Sequence, residues 1–206
     1  MMKAAETPRL SRIVEDLAEH GWTRQQGFLP EGLTLELARE CRARAATGAL
    51  APAAVGRRAG QEVREGVRGD RIQWLEAGQS AACDAYLTHM DALRGALNEA
   101  LYLGLADYEC HFAAYAPGAF YERHLDRFRD DDRRTVTAVY YLNDDWRAED
   151  GGALRLHFDD HVLDVPPEAG CLVVFLSDRL PHEVLPTHRE RLSLTGWFRR
   201  RGEGVW

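Results

Sequence analysis

The sequence lacks paired cysteines and an excess of basic residues. Its four cysteines, Cys41, Cys83, Cys110 and Cys171, are far apart and form no C-x-x-C spacing. Neither a zinc knuckle nor a disulfide framework is therefore expected. Acidic residues outnumber basic residues by 33 to 26, which argues against a nucleic-acid partner, because such proteins present a basic face.

Long apolar runs are also missing. The longest aliphatic run, Cys171–Leu176, is far shorter than the roughly 20 residues that span a bilayer, and the first residues lack the apolar centre of a signal peptide. We therefore expect a cytoplasmic protein with free thiols and no membrane partner. A chain of 206 residues, of which 45% are hydrophobic, is long enough for one well-buried domain, which we place over residues 1–206.

Helical periodicity marks the first half of the chain. Apolar residues recur at helical spacing over residues 11–20, in a segment that follows Pro30, and over residues 80–103. We predict a helical support over residues 8–104. Between Gly48 and Gly69 the periodicity is lost and the sequence is rich in glycine, alanine and charge, which is typical of a long functional loop or an extended hairpin.

After Gly104 the sequence changes to short apolar segments separated by turn residues. The predicted strands cover residues 109–115, 134–142, 153–158, 161–165, 171–176, 182–185 and 192–199. Short strands at this spacing predict a barrel or jelly roll over about residues 108–200. Helices followed by strands indicate an α+β fold, with the helices packed on one outer face of the sheet.

Two histidine–aspartate pairs have the spacing of metal ligands, His124-Leu-Asp126 and His157-Phe-Asp159. In a strand, side chains two residues apart point to the same face, so either pair could hold one ion. Residues 157–161 have the composition of a hairpin tip, and we expect His157, Asp159 and His161 at the surface.

A third metal ligand favours the first pair. His182 follows Asp126 by 56 residues, which leaves room for it to come from a strand on the opposite wall of a barrel. Two histidines and one carboxylate on one face of an octahedron leave three positions open, which is the arrangement of non-haem Fe(II) oxygenases. The carboxylate ligand also disfavours a halogenase, in which a halide takes that position.

Arg191 comes nine residues after His182, on the next predicted strand. An iron site of this kind has room for a bidentate 2-oxo acid and for dioxygen, and a guanidinium can anchor the far carboxylate of that acid. Thr195 and Trp197 share the strand face of Arg191. A hydroxyl can thus support the same carboxylate while an indole forms a wall of the pocket.

Longer motifs surround these residues: Tyr121-Glu-Arg-His124-Leu-Asp126, Tyr140-Tyr-Leu-Asn-Asp-Asp-Trp146, Gly151-Gly-Ala-Leu-Arg155 and Ser177-Asp-Arg-Leu-Pro-His182-Glu-Val. A further motif lies upstream of these, Val67-Arg-Gly-Asp70-Arg-Ile-Gln-Trp74. This part of the chain, about two thirds of it, resembles the catalytic domain of the hypoxia-inducible-factor prolyl hydroxylases. Those enzymes belong to the prolyl 4-hydroxylase group of Fe(II)/2-oxoglutarate oxygenases.

The resemblance implies a cupin-like double-stranded β-helix, or jelly roll, and a role for each matching residue. His124, Asp126 and His182 would bind iron, and Arg191 would pair with the distal carboxylate of 2-oxoglutarate. The other implied cosubstrate contacts are Tyr115, Tyr141, Leu154, Val184, Thr195 and Trp197. Residues 56–70 would form a finger loop that closes over a proline-bearing peptide, and Arg68, Asp70 and Arg134 would bind that substrate.

The implied reaction is 4-hydroxylation of a prolyl residue in a protein, with Fe(II), 2-oxoglutarate and O2, release of succinate and CO2, and ascorbate as a reductant. Bacterial members of the group make elongation factor Tu a candidate substrate. Two alternatives remain open, a 2-oxoglutarate oxygenase of free amino acids and a non-catalytic cupin-like sensor. A long closing loop favours a large substrate, and substrate-dependent succinate release would exclude the sensor.

Overall fold

Helices and strands alternate in the first half of the chain. The computed structural model describes residues 6–53, 67–126 and 133–202. The elements of the first half are α1 (Glu6–His20), β1 (Trp22–Gln26), α2 (Glu31–Ala46), β2 (Ala51–Pro52), β3 (Asp70–Trp74) and α3 (Ala81–Leu101). The predicted finger loop, residues 56–70, lies mostly outside the described residues, and only 67–70 can be placed.

The second half is built of strands. They are β4 (Leu105–Tyr115), β5 (Tyr121–His124), β6 (Arg134–Tyr141), β7 (Leu154–His157), β8 (Val162–Val165), β9 (Cys171–Leu176), β10 (His182–Val184) and β11 (Arg191–Arg200), with a short 3₁₀ helix at Ala148–Asp150. All seven predicted strands are confirmed to within a few residues at each end, whereas β5 was not predicted.

Local residues mark both ends of α3 and the start of α2. The Ser80 side chain accepts a hydrogen bond from the backbone N–H of Cys83 at 3.1 Å, which caps α3. Tyr102, in the left-handed conformation at φ 55°, ends this helix, and α2 starts directly after Pro30. Among the described helices, none combines the length and the apolar content that crossing a bilayer requires.

Two antiparallel sheets form the body of the protein. The large sheet has the strand order β1-β9-β6-β11-β4-β3-β2, and the small sheet has the order β5-β10-β7-β8. Inward side chains from both sheets meet in one buried cluster, which includes Tyr141 and Val173 from the large sheet and Leu156 and Val184 from the small one. The predicted α+β jelly roll, a double-stranded β-helix, is confirmed.

The other face of the large sheet carries the helices. A second buried cluster joins Ile13 of α1, Leu37 of α2 and Leu93 of α3 to outward side chains of the sheet such as Leu194 and Phe198. Burial of this apolar area is the main stabilisation of the fold. The helices therefore pack on one outer face, as predicted, and the opposite face is left for the site.

The sequence pattern predicted a helical support over residues 8–104, but this part of the chain also contributes strands to the large sheet. β1 pairs with β9 from Trp22 opposite Phe175 to Gln26 opposite Cys171, and β3 pairs with β4. Three early strands thus extend the large sheet. The segment Trp22–Gln26 has four polar residues in five, so it shows no apolar alternation, and its strand conformation depends on the distant partner strand.

Candidate functional site

His124 and His182 lie directly opposite each other on the neighbouring strands β5 and β10. Their ring centroids are 4.3 Å apart. The prediction that His182 comes from the opposite wall of the barrel is therefore wrong, because the two histidines belong to adjacent strands of the small sheet. Between Asp126 and His182 the chain forms β6 to β9 before it returns to this edge.

Asp126 lies just beyond the end of β5, in a bend. The expectation that His124 and Asp126 share a strand face is therefore wrong, since the backbone turns between them. The bend places Asp126 Oδ1 3.5 Å from Nε2 of His124 and Oδ2 3.4 Å from Nε2 of His182. The three potential ligand atoms lie within 4.8 Å of one another, as a single ion requires.

Backbone carbonyls fix the orientation of both histidine rings. Nδ1 of His124 donates to the carbonyl oxygen of Glu122 at 2.7 Å, and Nδ1 of His182 donates to that of Leu180 at 3.0 Å. Because Nδ1 carries the proton, the lone pair of each Nε2 is free to bind a metal. The ring of Tyr121 stacks on His124 at 3.7 Å between centroids and restrains it further.

The electrostatics of the cluster are those of a cation site. Burial alone would raise the pKa of the Asp126 carboxyl, but His182 and His124 beside it lower this pKa well below its ordinary value. Burial likewise opposes a charge on His182, yet Asp126 raises the pKa of that imidazole. Two imidazole nitrogens and one carboxylate on one side of an ion match the donor set of non-haem Fe(II).

The cluster opens into a cavity of about 560 Å³ between the two sheets. Most of the residues predicted for cosubstrate or substrate line it, namely Arg68, Asp70, Tyr115, Arg134, Leu154, Val184, Arg191, Thr195 and Trp197. Tyr141 is the exception and lies buried behind the wall, with its ring 5.2 Å from the Arg191 guanidinium carbon. The structure thus brings the predicted set together around one cavity.

Arg191 is a buried cation, with 2% of its surface exposed. Its Nε donates to the carbonyl oxygen of Gly152 at 2.8 Å, and its guanidinium lies 5.0 Å from the ring of Tyr115. Within the described residues it forms no ion pair with a carboxylate. A buried charge without a counter-ion is costly, so the site is suited to an anionic ligand.

A second unpaired polar group lies beside this cation. The hydroxyl of Tyr141 is buried and has no hydrogen-bond partner among the described residues. Burial raises the pKa of Tyr141, against the opposing effect of Arg191, so the phenol is neutral and can donate a hydrogen bond. Together, the guanidinium and the phenol provide the donors that the distal carboxylate of 2-oxoglutarate needs.

The predicted substrate residues form the outer wall of the cavity. Arg68 donates to both carboxylate oxygens of buried Asp70 and lies 4.9 Å from the ring centroid of Tyr121. Arg134 donates to Glu109 at 3.0 Å, and its guanidinium carbon lies 3.5 Å from the ring centroid of Trp197. These ion pairs orient the two guanidinium groups at the cavity wall.

The second histidine–aspartate pair takes no part in the metal cluster. Asp159 and His161 are exposed in the turn between β7 and β8, as predicted. His157 is half-buried, contrary to the prediction, because its Nε2 is 2.9 Å from Oε1 of Glu183. The metal cluster found in the described part of the chain consists of His124, Asp126 and His182 alone.

Three residues around the site were not identified from the sequence. His111 is buried at the cavity wall, with its ring 5.1 Å from Trp74 and 5.6 Å from Trp197. Thr137 and Ser177 are buried behind Asp126. The parity of β4 could have indicated His111, because it is two and four residues from the inward-facing Ala113 and Tyr115. No sequence signal distinguishes Thr137 and Ser177 from other threonines and serines in the chain.

Comparison with known proteins agrees with this geometry. Residues 110–199 match the 2OG-Fe(II) oxygenase superfamily. The chain is 32% identical to human Egl nine homolog 1 over 92% of its own length, but it spans only 46% of that longer protein. It is 60% identical to a prolyl-4-hydroxylase structure from Pseudomonas putida, with a TM-score of 0.87, covering 94% of this chain and all of the other.

A more distant structure carries a peptide. It is a prolyl hydroxylase from Trichoplax adhaerens in complex with a peptide fragment of a hypoxia-inducible-factor oxygen degradation domain. Its identity to this chain is 28% and the TM-score is 0.84, with 97% of this chain and 94% of the other covered. The facial arrangement of His124, Asp126 and His182, the fold and these likenesses all agree, and the chain belongs to the 2OG-Fe(II) oxygenase superfamily, within its prolyl hydroxylase family.

Proposed function

We propose that this protein is a dioxygenase that uses Fe(II), 2-oxoglutarate and O2 to hydroxylate the 4-position of a prolyl residue in a protein substrate, releasing succinate and CO2. The observation that carries the proposal is the pairing of a two-histidine, one-carboxylate cluster with the buried Arg191, which lacks an acidic partner among the described residues, in one cavity. We further propose that residues 1–206 act as one catalytic domain, with 8–104 as the support and about 108–200 as the core.

The proposal gives His124, Asp126 and His182 the role of iron ligands. When bound, the iron supplies the redox chemistry that couples decarboxylation of 2-oxoglutarate to C–H hydroxylation. The carbonyls of Glu122 and Leu180 hold the two imidazoles in the metal-binding tautomer. These three ligands would approach the iron from one side, which would leave the cavity side for the cosubstrate and dioxygen.

Arg191 and Tyr141 hold the distal carboxylate of 2-oxoglutarate in this proposal, and Thr195 supports it from the same strand as Arg191. The hydrogen bond from its Nε to the carbonyl oxygen of Gly152 holds Arg191 in this position. Apolar walls from Leu154, Val184 and Val139 exclude water from the reacting atoms. Exclusion of water limits side reactions of the activated oxygen, so these residues protect the protein during turnover.

The outer wall receives the prolyl substrate. Trp74 and Leu125 are 43% and 44% exposed and line the mouth of the cavity, where they offer apolar contact to a peptide. Arg68, Asp70 and Arg134 provide charged and hydrogen-bonding groups on the same side. The peptide in the Trichoplax neighbour supports a protein substrate, and we propose elongation factor Tu as the first candidate to examine.

The test is an assay of purified protein with Fe(II), 2-oxoglutarate, ascorbate and candidate substrates. Succinate release that depends on the protein substrate, together with the gain of one oxygen atom on a proline by mass spectrometry, is the expected result. Asp126→Ala is the inactive control. Arg134→Ala should weaken turnover of the protein substrate, whereas Arg155→Ala, which removes an exposed pair with Asp164, should not.

Two outcomes would contradict the proposed function, and a third would contradict the role of Arg134. Succinate release stimulated only by free amino acids would indicate a small-molecule oxygenase. Binding of Fe(II) and 2-oxoglutarate without succinate release in the presence of any proline-containing protein would indicate a sensor. Equal effects of Arg134→Ala and Arg155→Ala would remove Arg134 from the substrate site.

A further inference from the structure

Two buried hydroxyls lie in line behind the carboxylate of Asp126. Thr137 Oγ1 donates to Asp126 Oδ2 at 2.8 Å, and Thr137 Oγ1 is also 2.8 Å from Ser177 Oγ. Both hydroxyl residues have no exposed surface, and Asp126 is 7% exposed. Thr137 lies on β6, and Ser177 directly follows β9, so the large sheet contacts the metal cluster at this point.

The carboxylate fixes the direction of the two hydrogen bonds. An ionised carboxylate only accepts, so the hydroxyl hydrogen of Thr137 is directed at Oδ2. Thr137 Oγ1 can then only accept from Ser177, whose hydroxyl is the remaining donor. The order of donation is thus Ser177 to Thr137 to Asp126, and each bond strengthens the other by polarisation.

The two carboxylate oxygens are therefore not equivalent. Each oxygen lies near one histidine, Oδ1 3.5 Å from Nε2 of His124 and Oδ2 3.4 Å from Nε2 of His182. Only Oδ2 also accepts a hydrogen bond from a hydroxyl among the described residues, that of Thr137. The hydrogen bond from Thr137 occupies one of the two lone pairs of Oδ2, which makes Oδ2 a weaker metal ligand than Oδ1. The same hydrogen bond restrains rotation of the carboxylate about its Cβ–Cγ bond.

We propose that Thr137, supported by Ser177, is a positioning residue that makes Asp126 bind the metal through one oxygen. A carboxylate that binds through both oxygens would take a further coordination position, which the proposed reaction needs for dioxygen or 2-oxoglutarate. The hydroxyl pair thus keeps a coordination position open. This inference rests on the proposed iron site.

The test uses the full-length protein loaded with Co(II), whose d–d absorption reports coordination number, and measures Co(II) affinity by titration. Thr137→Val keeps the shape of the side chain but removes its donor. It should weaken Co(II) binding by about 10–100-fold, the usual cost of losing an outer-shell partner, and should change the Co(II) spectrum. Thr137→Ser should restore both, and Ser177→Ala should shift both in the same direction by less.

Thr23 provides a matched control. It is a buried threonine that donates to a carboxylate, Asp16 Oδ2, at 2.6 Å, but it lies on β1, outside the cavity-lining residues. Thr23→Val should leave the affinity and the spectrum of Co(II) unchanged while removing a comparable hydrogen bond. Circular dichroism and thermal melting of each variant establish that the fold is retained.

The possible results separate this inference from the proposed function. Failure of the wild-type protein to bind Co(II) would overturn the iron site and the inference with it. Normal Co(II) binding by wild type and by Thr137→Val, with the same spectrum, would overturn the positioning role alone. An equal loss of affinity in Thr23→Val would do the same, because it would reflect general loosening. If Thr137→Val does not fold, an unchanged affinity and spectrum in Ser177→Ala would overturn the inference.

Discussion

The Nε atom of Arg191 is anchored to the carbonyl oxygen of Gly152 over 2.8 Å, and Gly152 is in turn fitted to the arginine. Gly152 has φ +65°, and a Cβ atom there would lie 3.1 Å from Cδ of Arg191 and 3.0 Å from Oγ1 of Thr187. The turn before β7 therefore requires glycine both for its backbone conformation and for the space that the arginine stem occupies.

Gly152→Ala should both destabilise the protein and weaken 2-oxoglutarate binding. The left-handed backbone alone costs a non-glycine residue about 1–3 kcal/mol, and the new methyl group must displace Arg191. Gly48→Ala is the control, since Gly48 has φ +74° but nothing within 4 Å of the added atom. It should lower the free energy of unfolding without raising the Michaelis constant for 2-oxoglutarate. A raised constant in both variants would contradict the specific fit.

Arg191→Ala should raise the Michaelis constant for 2-oxoglutarate strongly. Truncating one partner of a buried, hydrogen-bonded ion pair costs about 2–5 kcal/mol. Arg191→Lys should recover part of this loss, because it keeps the charge but not the planar pair of donors. Steady-state kinetics over a range of 2-oxoglutarate concentrations would measure both, and an unchanged constant in the alanine variant would exclude the proposed role of Arg191.

Metal binding should depend on His124 and His182 but not on His157. Loss of a direct ligand should reduce Fe(II) affinity by more than the roughly 10–100-fold that an outer-shell partner costs. His157→Ala removes a histidine paired with Glu183 and leaves the cluster of ligands intact. Anaerobic titration of each apo-protein is the measurement. A loss in His157→Ala together with normal binding in His124→Ala would favour the other histidine–aspartate pair.

His111 should make the protein less stable in acid. Burial lowers its pKa from 6.5 to about 4, and the nearby Arg68 acts in the same direction. The unfolded chain therefore takes up this proton at a higher pH than the folded protein does. The stability that depends on neutral His111 is complete above pH 6.5 and is lost as the pH falls towards 4, by about 3 kcal/mol in total.

Urea unfolding at several pH values between 7 and 4 would measure this effect. His111→Met removes the titrating group, so its free energy of unfolding should fall less than that of wild type over this range. His161→Met, which changes an exposed histidine in the β7–β8 turn, should follow wild type. Parallel pH profiles for wild type and His111→Met would show that His111 does not contribute to acid sensitivity.

The structure brings the predicted site residues together around one cavity, but their spatial relation differs from the one predicted. Ligand chemistry depends on residue type and short spacing, so His124, Asp126, His182 and Arg191 could be selected from the sequence. The pairing of His124 with His182 on neighbouring strands is a register between segments far apart in the chain, and no local pattern encodes it. β5 itself is a polar segment of four residues, too short to show alternation.

For the fold too, features encoded by local periodicity were predicted, whereas features that depend on distant contacts were not. Apolar periodicity located α2 and α3 because each buries one face against the sheet. It failed for β1, whose conformation is stabilised by pairing with β9. Thr137 and Ser177 were not predicted for a different reason. A buried hydroxyl residue has no characteristic spacing in the sequence, so the role of this pair is seen only from the contact of Thr137 with Asp126.

β11 separates two kinds of structural requirement on a single strand. Its residues Leu192, Leu194 and Phe198 belong to the apolar cluster under the helices, while Arg191, Thr195 and Trp197 line the cavity. Substitutions at the first set are constrained by packing volume, whereas substitutions at the second are constrained by what the cavity binds. A substitution on the cavity face can therefore change what the protein binds while the helix-covered face of the same strand keeps the protein folded.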